Sequence, residues 1–116
     1  MITNRLYIIL GLCCLWLALP FCCMKVEAQN FVVVIDPGHG GRDPGAIGRK
    51  GREKDINLSV ALKLGNMIQN NCKDVKVLYT RKSDTFVALD KRAQIANDAK
   101  ADLFISILTN SVAKGR

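Results

Sequence analysis

The stretch that decides the fold is Val-Val-Val-Ile-Asp-Pro-Gly-His-Gly-Gly at residues 32–41. Its β-branched apolar run predicts a buried strand over residues 31–35, because such residues pack well in a pleated sheet. The run stops at Asp36-Pro37 and enters a glycine-rich turn that carries His39, the only histidine of the chain. Glycines beside an imidazole allow a sharp turn and leave the ring open on one side. The stretch therefore indicates a ligand-binding or catalytic position at the carboxyl edge of a sheet.

A long loop and a helix follow this turn. Residues 36–54 contain six glycines and show no apolar period, which predicts a functional loop rather than a simple connection. Asp55 is predicted to cap the next helix, since a carboxylate accepts bonds from free amides at that end. Asn70-Asn71 is expected to end it. The helix is predicted to pack against the core through a stripe formed by Ile56, Val60, Leu64, Met67 and Ile68, with Ala61 beside them.

The remaining chain continues the alternation of strands and helices. Val75–Tyr79 alternates like a short strand, a helix is predicted over 89–100, and residues 103–108 read as another buried strand. Leu89, Ala93 and either Ala96 or Ile95 are expected to face inward from that helix. The order strand, helix, strand, helix, strand predicts an α/β fold with a mostly parallel sheet, flanking helices and right-handed crossovers. Because the chain stops directly after the last strand, the domain is expected to be truncated at its C-terminus.

The first 28 residues differ in character from the rest. Arg5 precedes an apolar block from Leu6 to Met24, and Val26 and Ala28 resemble the small residues of a cleavage site. The block predicts a signal peptide at 1–28, with a membrane anchor or a lipoprotein as alternatives. The mature part, 29–116, is then exported to the periplasm or cell envelope, or released outside the cell. No stable membrane insertion is expected after cleavage. Four of the five cysteines lie in the leader, and Cys72 alone remains.

The charge balance bears on possible partners. The chain has a formal net charge of +7, and the leader contributes a net +1 through Arg5, Lys25 and Glu27, which leaves +6 for the mature part. A basic exported protein could favour an anionic cell wall or lipid surface, although the charge could equally serve solubility. The basic residues are scattered, without the aromatic interleaving of nucleic-acid platforms. Nucleic acid is therefore not expected as a partner.

His39 and Glu53 are the candidate metal ligands. Both lie in the loop after the first strand, so they could converge on one ion, and a histidine with a carboxylate suits zinc. The alternative interpretation is a histidine that only stabilises the turn and a solvated glutamate at the helix start. The two residues taken alone leave this choice open.

The order of these residues resembles the zinc-dependent N-acetylmuramoyl-L-alanine amidases of the family 3 type. The likeness runs through Ile-Asp-Pro-Gly-His-Gly-Gly at 35–41, Asp-Pro-Gly-Ala at 43–46, Glu-Lys-Asp at 53–55 and Asn-Leu at 57–58. It continues through Tyr-Thr-Arg at 79–81, Leu89, Arg92, Ala-Asn at 96–97 and the stretch 101–107. The resemblance implies a cell-wall hydrolase that cuts the amide between N-acetylmuramic acid and the L-alanine of the stem peptide. It also implies that His39 and Glu53 bind Zn²⁺ and that residues 29–116 form the N-terminal part of the catalytic domain.

Two departures from the family pattern affect the expected activity. Leu108 stands where the family has its second histidine ligand, and leucine has no lone pair to offer a metal. Asn110, Asp36 and Asp43 are expected to be weak substitutes. The family's general-base glutamate would lie beyond Arg116, so no catalytic residue is assigned in this chain. We therefore expect weak or absent zinc binding and an incomplete, inactive enzyme. The alternatives are a non-catalytic exported module that binds cell wall and an exported α/β fragment without activity.

Overall fold

The computed structural model describes residues 30–109 and shows an α/β layer built on a parallel sheet. The elements in chain order are β1 (Phe31–Pro37), β2 (Ile47–Gly48), β3 (Gly51–Arg52), α1 (Glu53–Asn71), β4 (Val75–Tyr79), α2 (Leu89–Asp98) and β5 (Leu103–Ile107). The three long strands are ordered β4-β1-β5, and both neighbours of β1 run parallel to it. Val33 of β1 lies opposite Val77 of β4 and Leu103 of β5. The predicted fold class and element order are confirmed.

The core lies on both faces of β1, because successive side chains of a strand point to opposite sides. Val33 and Ile35 pack with Ala61 of α1 and Val77 of β4. Val34 is also fully buried, and Asp36 follows it on the same face, where it pairs with Arg92 of α2. The central strand therefore fixes the apolar layer on one face and carries a buried carboxylate on the other, directly before residues 37–43, which carry His39 and are called the histidine turn below.

The start of α1 corrects the predicted cap and loop. The helix begins at Glu53 with Arg52 at the N-cap position and no side-chain cap bond, so Asp55 lies in its first turn instead. The earlier start allows Glu53 to face the histidine turn. The predicted long loop contains the two-stranded hairpin β2–β3, whose short antiparallel pairing leads the chain into the helix. β1 also extends two residues further than predicted, to Pro37.

The predicted inward stripe of α1 is only partly right. Ala61 is buried and Leu64 and Ile68 pack against the core, but three members of the stripe are exposed, namely Ile56, Val60 and Met67. The buried side of the helix is instead completed by Glu53, Lys54, Asn57 and Gly65. Gly65 lacks a side chain where the ring of Tyr79 crosses the helix. The face of α1 is therefore set by the polar site at its N-terminal end and by close packing on β4.

The prediction for α2 and β5 also needs correction. α2 ends at Asp98 rather than 100, and Leu89 and Ala93 are exposed, whereas Arg92 and Ala96 are buried. β5 ends at Ile107, and its Leu103 and Phe104 are half-exposed rather than buried. Within residues 30–109, β5 pairs with β1 on one side only, so its side chains have fewer neighbours than those of a central strand.

The predicted leader at 1–28 and Asn110 lie outside the described residues. Cys72 is exposed and free. In the part of the chain that the structure describes, no helix has both the length and the apolar character needed to cross a bilayer.

Candidate metal site at the edge of the sheet

The histidine turn projects from the carboxyl end of β1. The amide of Gly38 donates to the carbonyl of Ile107 at 2.9 Å, which ties the turn to β5. His39 itself adopts a left-handed backbone with φ of 61°. Gly40 and Asp43 then exchange two backbone hydrogen bonds of 2.8 and 3.1 Å and close the turn. Since a non-glycine residue with positive φ is strained, the surrounding bonds must hold His39 in this conformation.

His39 and Glu53, the two predicted ligands, are brought together. The Nε2 atom of His39 lies 3.4 Å from Oε2 of Glu53. The same Oε2 accepts a bond from the amide of Ala46 at 3.0 Å, and Oε1 accepts one from the amide of Thr109 at 3.1 Å. These bonds, chiefly that from Ala46, lower the pKa of Glu53 and keep its carboxylate ionised. We call His39 and Glu53, the two candidate ligands, the ligand pair.

Asp43 contacts the imidazole of His39 through Nδ1, the ring nitrogen that does not face Glu53. Its Oδ2 lies 2.8 Å from Nδ1 of His39, and its Oδ1 accepts a bond from the amide of Gly45 at 3.1 Å. The hydrogen bond with His39, followed by that from Gly45, lowers the pKa of Asp43. An ionised carboxylate can only accept a hydrogen bond, so Nδ1 is the donor of this pair and Nε2 is the ring nitrogen that faces Glu53. A carboxylate behind a histidine is the usual support of a metal-bound imidazole.

Gly45 makes room for the ligand pair. A Cβ at this position would lie 2.7 Å from Cδ2 of His39 and 2.8 Å from Oε2 of Glu53, and the φ of Gly45 is +62°. Both distances are too short for real contacts, so the loop can pass over the pair only where the residue has no side chain. This role of Gly45 depends on tertiary packing and could not be derived from the sequence, although the glycine content of the loop was visible.

A cavity of about 260 Å³ opens beside the turn. His39 and Asp43 line it together with Leu108, which is 57% exposed and whose side chain contacts Gly38. The predicted third-ligand position therefore shares the cavity with His39 but presents only methyl groups. A second cavity, of about 340 Å³, lies between α2 and β5 and is not lined by the ligand pair.

The donor set fits zinc only in part. The ligand pair offers an imidazole nitrogen and a carboxylate oxygen at a spacing that suits one shared ion. Among residues 30–109, no group of three or more His, Cys, Asp or Glu side chains could hold a metal. Asp43 is occupied with Nδ1 of His39, and buried Asp36 is occupied by Thr80, Arg92 and Ser106, so neither replaces the missing ligand.

A parallel α/β sheet with a histidine and a glutamate at its carboxyl edge defines the class, an α/β domain with its candidate site at the strand ends. The chain belongs to the N-acetylmuramoyl-L-alanine amidase family, whose model matches residues 33–116. The resemblance found in the sequence is thereby confirmed.

Individual relatives agree with this assignment. The sporulation-specific N-acetylmuramoyl-L-alanine amidase of Bacillus subtilis is 46% identical over 79 residues, which are 68% of this chain and 31% of that protein. The amidase AmiA of Escherichia coli K12 is 46% identical over 96 residues, 78% of this chain and 32% of that protein. The chain thus spans about a third of the length of these two curated relatives.

Solved structures show the same fold. The catalytic domain of the amidase CwlV from Bacillus (Paenibacillus) polymyxa is 46% identical, with a TM-score of 0.67 over 72% of this chain and 47% of that chain. The N-acetylmuramoyl-L-alanine amidase from Clostridium difficile 630 is 40% identical, with a TM-score of 0.70 over 76% and 48% of the two chains. The likeness covers about half of each solved chain.

Proposed function

We propose that residues 29–116 form the N-terminal part of the catalytic domain of a peptidoglycan amidase. The reaction is hydrolysis of the amide that joins N-acetylmuramic acid to the L-alanine of the stem peptide. The observation that carries the proposal is the ligand pair, with Nε2 of His39 3.4 Å from Oε2 of Glu53 at the sheet edge of an amidase-family chain. Peptidoglycan is the proposed substrate, and nucleic acid is not a proposed partner.

In this proposal His39 and Glu53 hold Zn²⁺. When bound, the ion polarises the substrate carbonyl and lowers the pKa of a water molecule. The chain's own residues prepare the site. Asp43 fixes the imidazole tautomer through Nδ1, and the amides of Ala46 and Thr109 orient the carboxylate of Glu53. The low pKa of Glu53 suits a ligand, because a protonated carboxyl would have to lose its proton before binding the metal.

Leu108 limits what this chain does by itself. A zinc enzyme commonly keeps three protein ligands and one open position for water. With Leu108 at the position of the third ligand, we propose that this chain binds zinc weakly and does not cleave peptidoglycan. We assign no general base to residues 30–109.

The proposed location is outside the cytoplasm. Residues 1–28 have the charged start, the apolar block and the small residues of a signal peptide. The mature part is proposed to act in the periplasm or cell envelope, or outside the cell. Its net positive charge favours contact with an anionic wall.

Zinc titration of the purified mature chain against a chromogenic chelator tests the metal site. His39→Ala and Glu53→Gln should each abolish the measured binding, because each removes one of the two ligands. Asp90→Asn is the matched control, since Asp90 is an exposed carboxylate in the first helical turn of α2 and its Oδ1 accepts a bond from the amide of Lys91. Binding that survives in both ligand variants would show that zinc binds elsewhere.

Leu108 also favours a second candidate function, a cell-wall-binding module that does not cut. Incubation with purified sacculi separates the two functions. We expect the chain to sediment with sacculi and to release no stem peptides when zinc is added. Release that is abolished by His39→Ala would instead establish an active amidase. Absence from the pellet would argue against the binding module.

A further inference from the structure

Three successive carbonyls of the histidine turn accept hydrogen bonds from two buried guanidinium groups. Arg81 donates from Nε to the carbonyl of Pro37 at 3.0 Å and from Nη2 to that of Gly38 at 2.9 Å. Arg92 donates from Nη1 to Pro37 at 2.8 Å and from Nη2 to the carbonyl of His39 at 2.8 Å. Both arginines are about 95% buried. We call this pair the guanidinium clamp.

Arg92 fixes the backbone of the histidine itself. Its Nη1 also donates to Oδ1 of Asp36 at 2.7 Å, and Asp36 is held in turn by the hydroxyls of Thr80 and Ser106. The bond to the carbonyl of His39 is thus made by a group with a buried, fixed counter-ion. His39 has a left-handed backbone, a conformation that is unfavourable for a residue with a side chain. Arg92 is placed to hold that conformation.

Arg81 links the two halves of the ligand pair. Its single Nη2 atom donates to the carbonyl of Gly38 and also to the carbonyl of Lys54, both at 2.9 Å. Gly38 directly precedes His39, and Lys54 directly follows Glu53. One nitrogen therefore joins the backbones on which the two ligands stand.

We propose that Arg81 and Arg92 are positioning residues of the zinc site: Arg81 sets the spacing of the ligand pair, and Arg92 sets the backbone of His39. This inference rests on the proposed function, because it assigns both roles relative to the proposed zinc ligands. Neither side chain touches substrate or metal in this role. Each acts through the backbone of the turn.

A lysine cannot replace either arginine in the clamp. Lysine keeps the positive charge but presents one nitrogen on a flexible stem, whereas each guanidinium here donates to four acceptors from a rigid planar group. Arg81→Lys and Arg92→Lys therefore remove the planar set of hydrogen-bond donors while they retain the positive charge. Arg52→Lys is the matched control, because Arg52 is half-exposed and, among residues 30–109, its side chain bonds only Asp55 beside the same helix start.

The test uses two measurements on the mature chain, under conditions in which urea titration shows each variant to be folded. NMR of His39, the only histidine, gives its ring ¹⁵N shifts and its backbone conformation without any metal. Zinc competition gives the affinity. The two clamp variants should move the His39 signals and weaken zinc binding by about 10- to 100-fold, the range seen when groups that orient metal ligands are lost. The control should change neither. Unchanged His39 signals with affinity within twofold of the parent would overturn the proposal.

A milder variant covers the case in which the lysine variants do not fold. Thr80→Val removes one hydrogen bond from Asp36 and so loosens the anchor of Arg92, while Thr80→Ser restores the hydroxyl. The valine variant should shift the His39 signals and the serine variant should return them; no shift would refute the role of Arg92. If the parent chain binds no zinc, the proposed function fails, while the metal-free His39 signals still test the clamp.

Discussion

Replacing Leu108 with histidine should convert the incomplete donor set into a three-ligand zinc site. Leu108 directly follows β5 and lines the same cavity as His39. The neighbouring amide, that of Thr109, donates to Glu53, so the backbone at this position is already tied to the ligand pair. Because the leucine side chain is 57% exposed, an imidazole has room to enter without displacing core residues.

The expected gain in zinc affinity follows from the contribution of one ligand to the binding free energy. Structural zinc sites bind with about 10–16 kcal/mol, usually through four ligands, so one ligand contributes about 3 kcal/mol. At 1.4 kcal/mol per tenfold, the Leu108→His variant should bind zinc roughly a hundredfold more tightly than the parent chain. The measurement belongs near pH 8, because the imidazole must be neutral to bind and its ordinary pKa is about 6.5.

Competition with a chromogenic chelator measures the change in affinity directly. Leu108→Phe is the matched control, since it replaces leucine with another apolar side chain that has no lone pair, and its affinity should equal that of the parent. A second substitution, His39→Ala in the Leu108→His chain, should remove most of the gain if both imidazoles bind one ion. Equal zinc affinity in the Leu108→His variant and the parent chain would refute the proposed three-ligand geometry.

Three further substitutions test how the site and its support are packed. Gly45→Ala should destabilise the fold by about 2–4 kcal/mol in urea titration and weaken zinc binding, because the new Cβ meets the ligand pair at a positive φ. Gly65→Ala should cost about 1–2 kcal/mol in the same titration, since overpacking against the Tyr79 ring outweighs the gain in helix propensity; a stabilised variant would contradict the packing described. Asp84→Asn should reduce the loss of folding stability that occurs when the pH is lowered. The pKa of Asp84 is lowered chiefly by its hydrogen bond with Lys54, so this contribution is present above the unfolded value near 3.8 and disappears as the pH falls below it. Urea midpoints of the parent and the variant at about pH 6 and pH 3 measure the difference. An equal fall in midpoint between the two pH values in both chains would contradict the prediction.

The strands with a regular apolar pattern could be predicted, because the burial of their apolar residues determines where they lie in the sequence. A β-branched run bounded by Asp-Pro gave β1, and alternation gave β4 with the bounds that the structure shows. The inward faces of the helices were harder to predict. The apolar stripe predicted for α1 did not take into account that Glu53 faces the histidine turn and that Gly65 makes room for the Tyr79 ring. Both requirements bury a side of the helix that does not include Ile56.

The proximity of the ligand pair could also be predicted, because both residues flank one loop that leaves the central strand. The support of the pair could not. Asp43 reaches Nδ1 of His39 only because His39, Gly40 and Gly41 have positive φ, and local propensity does not specify that path. Leu108 was identified from the family pattern, whereas its place in the cavity beside His39 required the structure.

Cations are the residues that sequence reasoning places on the surface most readily, and here three of them are buried around one loop. Lys54, Arg81 and Arg92 are each about 95% buried. A loop with few apolar residues cannot be held by a hydrophobic core, so its carbonyls must find donors, and long cationic side chains supply several at once. Arg92 pairs with buried Asp36 and Lys54 pairs with half-exposed Asp84, both at 2.7 Å, so two of these three charges have a carboxylate partner. These three cations and their two partner carboxylates therefore carry only +1 of the net positive charge, and most of the charge proposed to attract an anionic wall lies on residues outside this set.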